Sequence, residues 1–87
     1  MAETTIVRPG QAWADNDKRV KGRTLRVLRL YETRALCETV TNDDATQQRI
    51  DRGDRTARDM RGKTTSISLD RFRPTSTGYR LVQDVED

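Results

Sequence analysis

The stretch LDRFRPTSTGYRLV, residues 69–82, constrains the fold more than any other part of the chain. Just before it, Ile67 and Leu69 alternate with polar residues, which is the pattern of a strand with one buried face. Phe72 falls on the polar side of that alternation, so the chain must turn directly after the strand to bring the ring into a core. Pro74 removes a backbone donor and keeps the turn short. We therefore predict a strand, one tight helical turn and a second strand.

The composition limits how large the core can be. Of the 87 residues, 32% are hydrophobic and 36% are charged, which predicts a single small domain of marginal stability. No stretch reaches the ~20 apolar residues of a membrane span, and no basic-then-apolar leader follows Met1. These features predict a cytoplasmic protein without membrane contact.

Cys37 is the only cysteine, so the chain cannot form a disulfide within itself. It lies between Leu36 and Glu38 in an alternating run, which is typical of a small core residue. The register of that strand stays open at this point. Either Ala35 and Cys37 face the core, or Leu36 and Val40 do.

Hydrophobic patterning predicts four clear strands and one extended segment before them. That segment surrounds Trp13, which we interpret as a core anchor because a lone indole in a small fold is usually packed. Leu28 and Leu30 break the alternation of the first long strand, which indicates a bulge or a strand end covered on both faces. The predicted strands span 23–31, 35–42, 64–70 and 78–83, and a one-turn helix spans 70–73.

Five antiparallel strands with a helical turn before the last one follow the order of an SH3-like small barrel. We therefore predict a mainly β fold, a small five-stranded antiparallel SH3-like barrel in which Phe72 closes one end. The barrel would occupy 7–83, between a flexible N-terminus at 1–6 and an acidic tail at 84–87.

The segment 43–62 is predicted to be a long charged loop between two strands. It holds too few apolar residues for a core of its own. A helical turn or two fits 44–52, with Asn42 or Asp43 as N-cap and Gly53 as terminator. Long excursions between strands are usually functional or disordered, and both interpretations stay open.

Four segments, PGQAWADND, GRTLRV, ALC and ISLDRFRPTSTGYRLV, resemble a group of small proteins encoded by actinobacteria and their phages. The resemblance covers most of the chain outside 43–62, where this sequence carries a longer insertion, and the last segment is the most specific. The group implies a fold and a phage or actinobacterial setting. It assigns no activity and no binding residues.

Catalytic chemistry finds little support in the residue types. The chain has no His and one Cys, and no pair of carboxylates lies on apolar strands, so the usual general base, nucleophile and metal cluster are missing. Asp15 and Asp17 lack the further ligands that a calcium loop needs at set spacing. We therefore expect no enzyme activity, no metal, no cofactor and no small-molecule substrate.

The basic residues are the feature that most directly suggests a partner. Arg supplies fourteen of the 17 basic residues, and its planar fork pairs with phosphate groups and base edges. A genome rich in G and C would also produce an excess of arginine. The sequence does not decide between a nucleic-acid partner and genome composition as its cause.

Two sets of basic residues are candidate nucleic-acid contacts. The loop arginines recur at every third position between aspartates, so they could follow a phosphate backbone or form a solvated, half-neutralised loop. The sheet cations surround the first long strand and the closing turn, with Tyr31 or Tyr79 near enough to stack a base. The loop arginines are Arg49, Arg52, Arg55, Arg58 and Arg61. The sheet cations are Lys18, Arg19, Lys21, Arg23, Arg26, Arg71 and Arg73, and Lys63 at the end of the loop completes the candidates. Arg80 of the last strand lies near this patch, and either Arg29 or Arg34 could extend it along the outer side of the hairpin.

Two functions from different classes follow from these features. The first is a non-enzymatic nucleic-acid-binding or transcription-associated module, with DNA as the expected partner, that grips the phosphate backbone. The second is a protein-interaction module, such as a small phage protein that binds a host protein or a second copy of itself. The uncharged strand TTSISL would offer its edge to such a partner.

Overall fold

The structure, a computed structural model, describes residues 6–85. Most of the predicted flexible N-terminus and the last two residues of the predicted acidic tail lie outside the described residues. The strands are β1 (Ala12–Asp15), β2 (Thr24–Leu30), β3 (Arg34–Thr41), β4 (Thr64–Ser68) and β5 (Tyr79–Gln83). One α-helix, α1 (Asp44–Asp51), and two 3₁₀ turns, Lys18–Val20 and Leu69–Arg71, complete the regular structure.

All five strands belong to one antiparallel sheet with the order β4-β3-β2-β1-β5. The five antiparallel strands and the 3₁₀ turn between β4 and β5 confirm the predicted mainly β fold and the predicted order of elements along the chain. Within residues 6–85, β4 and β5 are the edges of the sheet and do not pair with each other. The closure that a barrel requires therefore stays a prediction. No helix in this part of the chain is long and apolar enough to cross a membrane.

Three aromatic rings form the centre of the core. Trp13 from β1 meets Phe72 edge to face, with 5.1 Å between the ring centroids, and Phe72 stacks on Tyr79 of β5 at 5.5 Å. All three are buried. The chain turns into a 3₁₀ helix at Leu69, directly after β4, which places Phe72 inside as its break in the alternation predicts.

The register of β3 places Ala35 and Cys37 in the core, where neither has any exposed surface. Burial raises the pKa of the Cys37 thiol to about 11. The alternative register is excluded because Val40 is exposed. In β2 the pairing shifts between Val27 and Arg29, which confirms the predicted bulge.

Gln11 joins the two ends of the described chain, which sequence patterning does not predict. Its side chain is buried, and its oxygen accepts hydrogen bonds from the Arg8 amide and from the Trp13 indole. Its nitrogen donates to the Ile6 carbonyl and to an Asp84 carboxylate oxygen. The bond from Gln11 lowers the pKa of Asp84. One amide thus ties the segment before β1 to the segment after β5.

Hydrogen bonds hold the 43–62 excursion against the sheet, although α1 buries no residue. Asp43 is the N-cap and accepts from the Thr46 amide, while Gly53 ends the helix with a φ of 82°. Buried Asn42 donates to Asp59 and accepts from the Met60 amide. A short capped helix and a polar anchor therefore replace the missing apolar core.

We predict that Phe72→Leu lowers the free energy of unfolding by about 1–2 kcal/mol, because leucine keeps most of the buried volume but loses both ring contacts. Urea unfolding followed by circular dichroism measures the change. The matched control is Tyr31→Leu, since Tyr31 is half exposed. This substitution should change the free energy of unfolding by no more than ~0.5 kcal/mol. Equal effects of the two substitutions would contradict the central role of Phe72.

Candidate nucleic-acid interface

A cleft of about 400 Å³ is lined by β4, by Arg71 and by the first residue of β5. We call it the seam cleft. Its lining contains no carboxylate, and it combines three arginines with four residues that carry a hydroxyl group. The arginines are Arg23, Arg34 and Arg71, the hydroxyl-bearing residues are Thr65, Ser66, Ser68 and the buried Tyr79, and Ile67 completes the lining.

Two of the three arginines are held by hydrogen bonds to neighbouring segments. Arg34 begins β3, and its guanidinium donates to both the hydroxyl and the carbonyl oxygen of Ser66, each at 2.8 Å. Arg71 ends the second 3₁₀ turn and donates to the Thr77 carbonyl at 2.9 Å, with its guanidinium carbon 5.8 Å from the centre of the Tyr79 ring. Each guanidinium keeps further N–H groups, since a guanidinium has five. Both side chains are exposed and can meet a ligand.

Arg23 is the most enclosed of the three and has a carboxylate nearby. Its guanidinium lies 3.8 Å from an Asp15 oxygen, and the Asp15 side chain is only 5% exposed. Asp15 does not line the seam cleft. Its negative charge therefore offsets part of the Arg23 charge from outside the cleft, and the cleft keeps about two of its three positive charges.

Tyr79 does not offer its ring to a base, contrary to one sequence-based expectation. The ring is 4% exposed, and it is packed between Phe72 and Arg71. Burial also raises the pKa of its hydroxyl. Tyr31 is half exposed, but it lies in the turn after β2 and does not line the cleft.

The other basic residues near the first 3₁₀ turn face carboxylates. Lys18 and Lys21 line a separate cleft of about 510 Å³ together with Asp15 and Asp17. Arg19 forms an ion pair with Asp17 at 2.6 Å, and the hydrogen bond from the Arg19 side chain lowers the pKa of Asp17 to about 2. These acids make this cleft a weaker anion site than the seam cleft. The turn forms before β2 because the Asp17 side chain caps it.

The loop arginines divide into paired and unpaired groups. Arg49 pairs with Asp54 at 3.0 Å, and Arg61 pairs with Asp59 at 2.7 Å. The bond from Arg61 lowers the pKa of Asp59. The other three, which are Arg52, Arg55 and Arg58, are exposed and have no ion-pair partner among residues 6–85.

The remaining sequence-predicted residues lie outside the seam cleft. Arg26 is half buried and donates to the Gly10 carbonyl at 3.3 Å. Lys63 is exposed just before β4. Arg73 lines an apolar groove of about 350 Å³ beside Leu30 and Phe72.

Of the candidates named from the sequence, the structure brings Arg23 and Arg71 together in the seam cleft, and Arg34, which the sequence offered only as an alternative to Arg29, joins them. Sequence reasoning missed the hydroxyl groups of β4 as partners of these arginines. These groups come together because Arg34 pairs with Ser68 and Leu36 pairs with Ser66. The sequence alone does not show this pairing, because it depends on the register of the assembled sheet.

Comparison of the chain with protein-family models, with curated proteins and with solved structures finds no match in any of the three. Within the described part of the chain, no group of three or more His, Cys, Asp or Glu side chains could hold a metal ion. The geometry of the seam cleft and its surroundings is therefore the basis for assigning a function.

We predict that Thr56→Val raises the pKa of Asp54 from about 2 toward the ordinary value near ~4. The hydrogen bond from the Thr56 hydroxyl is the main cause of the low value. Because the pKa of Asp54 is lower in the folded protein than in the unfolded chain, the ionised carboxylate stabilises the folded loop at pH values above the unfolded-state pKa. This stabilisation is lost as the pH falls through about 2. Carboxyl-carbon NMR over an acid titration measures the change. The pKa of Asp17, which depends on Arg19, should not change and is the internal control. An unchanged pKa of Asp54 would show that the hydrogen bond from the Thr56 hydroxyl does not form.

Proposed function

We propose that the protein is a non-enzymatic nucleic-acid-binding module, with DNA as the expected partner, that holds the phosphate backbone with arginine side chains. The observation that carries the proposal is the seam cleft, which three arginines and four hydroxyl-bearing residues line without a carboxylate. Guanidinium groups form short, charge-assisted hydrogen bonds with phosphate oxygens, often two at a time.

The unpaired loop arginines support the same function at longer range. Arg52, Arg55 and Arg58 are exposed, as is Lys63 at the end of the excursion. Cations of this kind add to the affinity for a polyanion by releasing counterions, whatever the base sequence. They would therefore strengthen binding without supplying specificity.

The aromatic residues favour contact with the backbone over contact with bases. The chain has four aromatic residues, and Trp13, Phe72 and Tyr79 are buried in the core. Single-strand binders that stack bases use several exposed rings along a basic groove. This protein offers one exposed ring, Tyr31, so recognition would be tolerant of base sequence.

The setting is part of the same proposal and is suggested by the sequence resemblance. We propose the cytoplasm of a bacterial cell, in an actinobacterial or phage context, and a role associated with transcription or another process on DNA. The single thiol, which is buried in the core, fits a reducing compartment.

The competing function, protein interaction through the edge of β4, meets an obstacle in the same cleft. The Leu69 amide donates to the Thr33 carbonyl, so by the alternation of an antiparallel ladder Ser66 directs its carbonyl away from β3. The Arg34 guanidinium already occupies that carbonyl. An added strand would have to displace the guanidinium or share the carbonyl with it, which makes this edge a less favourable template.

We predict that the affinity for a labelled random-sequence duplex falls by orders of magnitude between ~50 and ~200 mM salt, because phosphate contacts release counterions. Fluorescence anisotropy measures the affinity. The single variants Arg34→Gln and Arg71→Gln should each bind more weakly and lower the magnitude of the salt slope by about 0.9, the contribution of one phosphate that is no longer neutralised. The matched control is Arg29→Gln, which removes an exposed charge of β2 outside the cleft.

Absence of binding at the lower salt would contradict the proposal. Equal losses of affinity in Arg29→Gln and in the cleft variants would show general attraction to the charged surface, and the seam cleft would then not be the binding site. Recovery of a protein partner from nuclease-treated lysate, with no affinity for nucleic acid, would favour the interaction module.

A further inference from the structure

We infer that the seam cleft holds a phosphomonoester at the end of a nucleic-acid strand in preference to the phosphodiesters inside it. The inference rests on the proposed function and names the part of the nucleic acid that the site selects. It follows from the charge of the cleft, from its fixed donors and from the absence of an open ring surface.

The charge of the cleft matches a terminal phosphate. Three guanidinium groups line it, and the nearby Asp15 carboxylate offsets part of the Arg23 charge. About two positive charges then remain for a ligand. A phosphomonoester carries about −1.5 to −2 at neutral pH, whereas a phosphodiester carries one negative charge. The monoester therefore compensates the cleft more completely.

The donors in the cleft are held in place before any ligand binds. Arg34 is fixed by two bonds to Ser66, and Arg71 is fixed by the Thr77 carbonyl and by the face of Tyr79. Such anchoring reduces the side-chain entropy lost on binding. A monoester presents three terminal oxygens to these donors, and a diester presents two. Each additional oxygen can accept further hydrogen bonds from the guanidinium and hydroxyl groups.

The surroundings of the cleft select for phosphate over base. Tyr79, the only aromatic residue in the lining, is 4% exposed and packed on Phe72. A base has no ring to stack on there. At about 400 Å³, the cleft nevertheless has room for a phosphate group and part of the attached sugar.

The test compares one short single-stranded oligonucleotide in three forms: with a 5′-phosphate, with a 3′-phosphate and with hydroxyl groups at both ends. Competition against a labelled strand at ~200 mM salt suppresses general attraction to the backbone. We expect one of the phosphorylated forms to bind about tenfold more tightly than the hydroxyl form, the scale of a charge-assisted hydrogen bond. The preference should disappear in Arg34→Gln and in Arg71→Gln and persist in the matched control Arg29→Gln.

The outcomes separate the inference from the proposed function. Equal affinity for all three forms, with a steep salt dependence, would overturn the terminal-phosphate site and leave nucleic-acid binding in place. Failure of every form to bind at ~50 mM salt would overturn both. Tighter binding of a phosphoserine peptide than of the phosphorylated strands would also overturn the inference, because the cleft would then serve a protein ligand.

Discussion

The stack of Trp13, Phe72 and Tyr79 is the contact on which the rest of the structure depends. In a chain with 32% hydrophobic residues, these rings are three of the eight residues in the buried core cluster of the described part of the chain, and each aromatic ring buries a large apolar area. They come from β1, from the residue after the second 3₁₀ turn and from β5. Because Phe72 must reach the other two rings, β4 has to end where it does and the chain has to turn.

The same constraint creates the candidate site. The turn after β4 places the Arg71 guanidinium over the ring of Tyr79, which stacks on Phe72. Within the described residues, β4 is an edge strand of the sheet. Polar groups of β4 and of the turn are thus available to a ligand beside a rigid core. The arginines of the cleft owe their positions to the sheet and to the aromatic stack. The loop arginines instead lie on a segment that hydrogen bonds hold without apolar packing.

The sequence predicts those features that depend on neighbouring residues. The turn at the broken alternation before Phe72 and the register shift at the doubled leucines of β2 both appear in the structure. So does the N-cap of α1, for which the sequence offered Asn42 or Asp43 and the structure shows Asp43. Features that depend on contacts between distant segments were not predictable in this way. From the sequence alone, Gln11 is expected to be a polar surface residue, because its contacts with Ile6, Trp13 and Asp84 are visible only in the structure. Likewise, the order of residues does not decide between Arg29 and Arg34 as the neighbour of Arg23 and Arg71, because the register of β3 and β4 decides it.

In the proposed function, the three arginines of the seam cleft make the main phosphate contacts, and the exposed loop cations have a supporting role. The most direct test is NMR of the arginine side-chain Nε–H signals while a nucleic-acid strand is added. We expect large shifts at Arg23, Arg34 and Arg71 and small shifts at Arg29. Shifts confined to Arg52, Arg55 and Arg58, with the three cleft signals unmoved, would contradict the assignment of the seam cleft as the binding site.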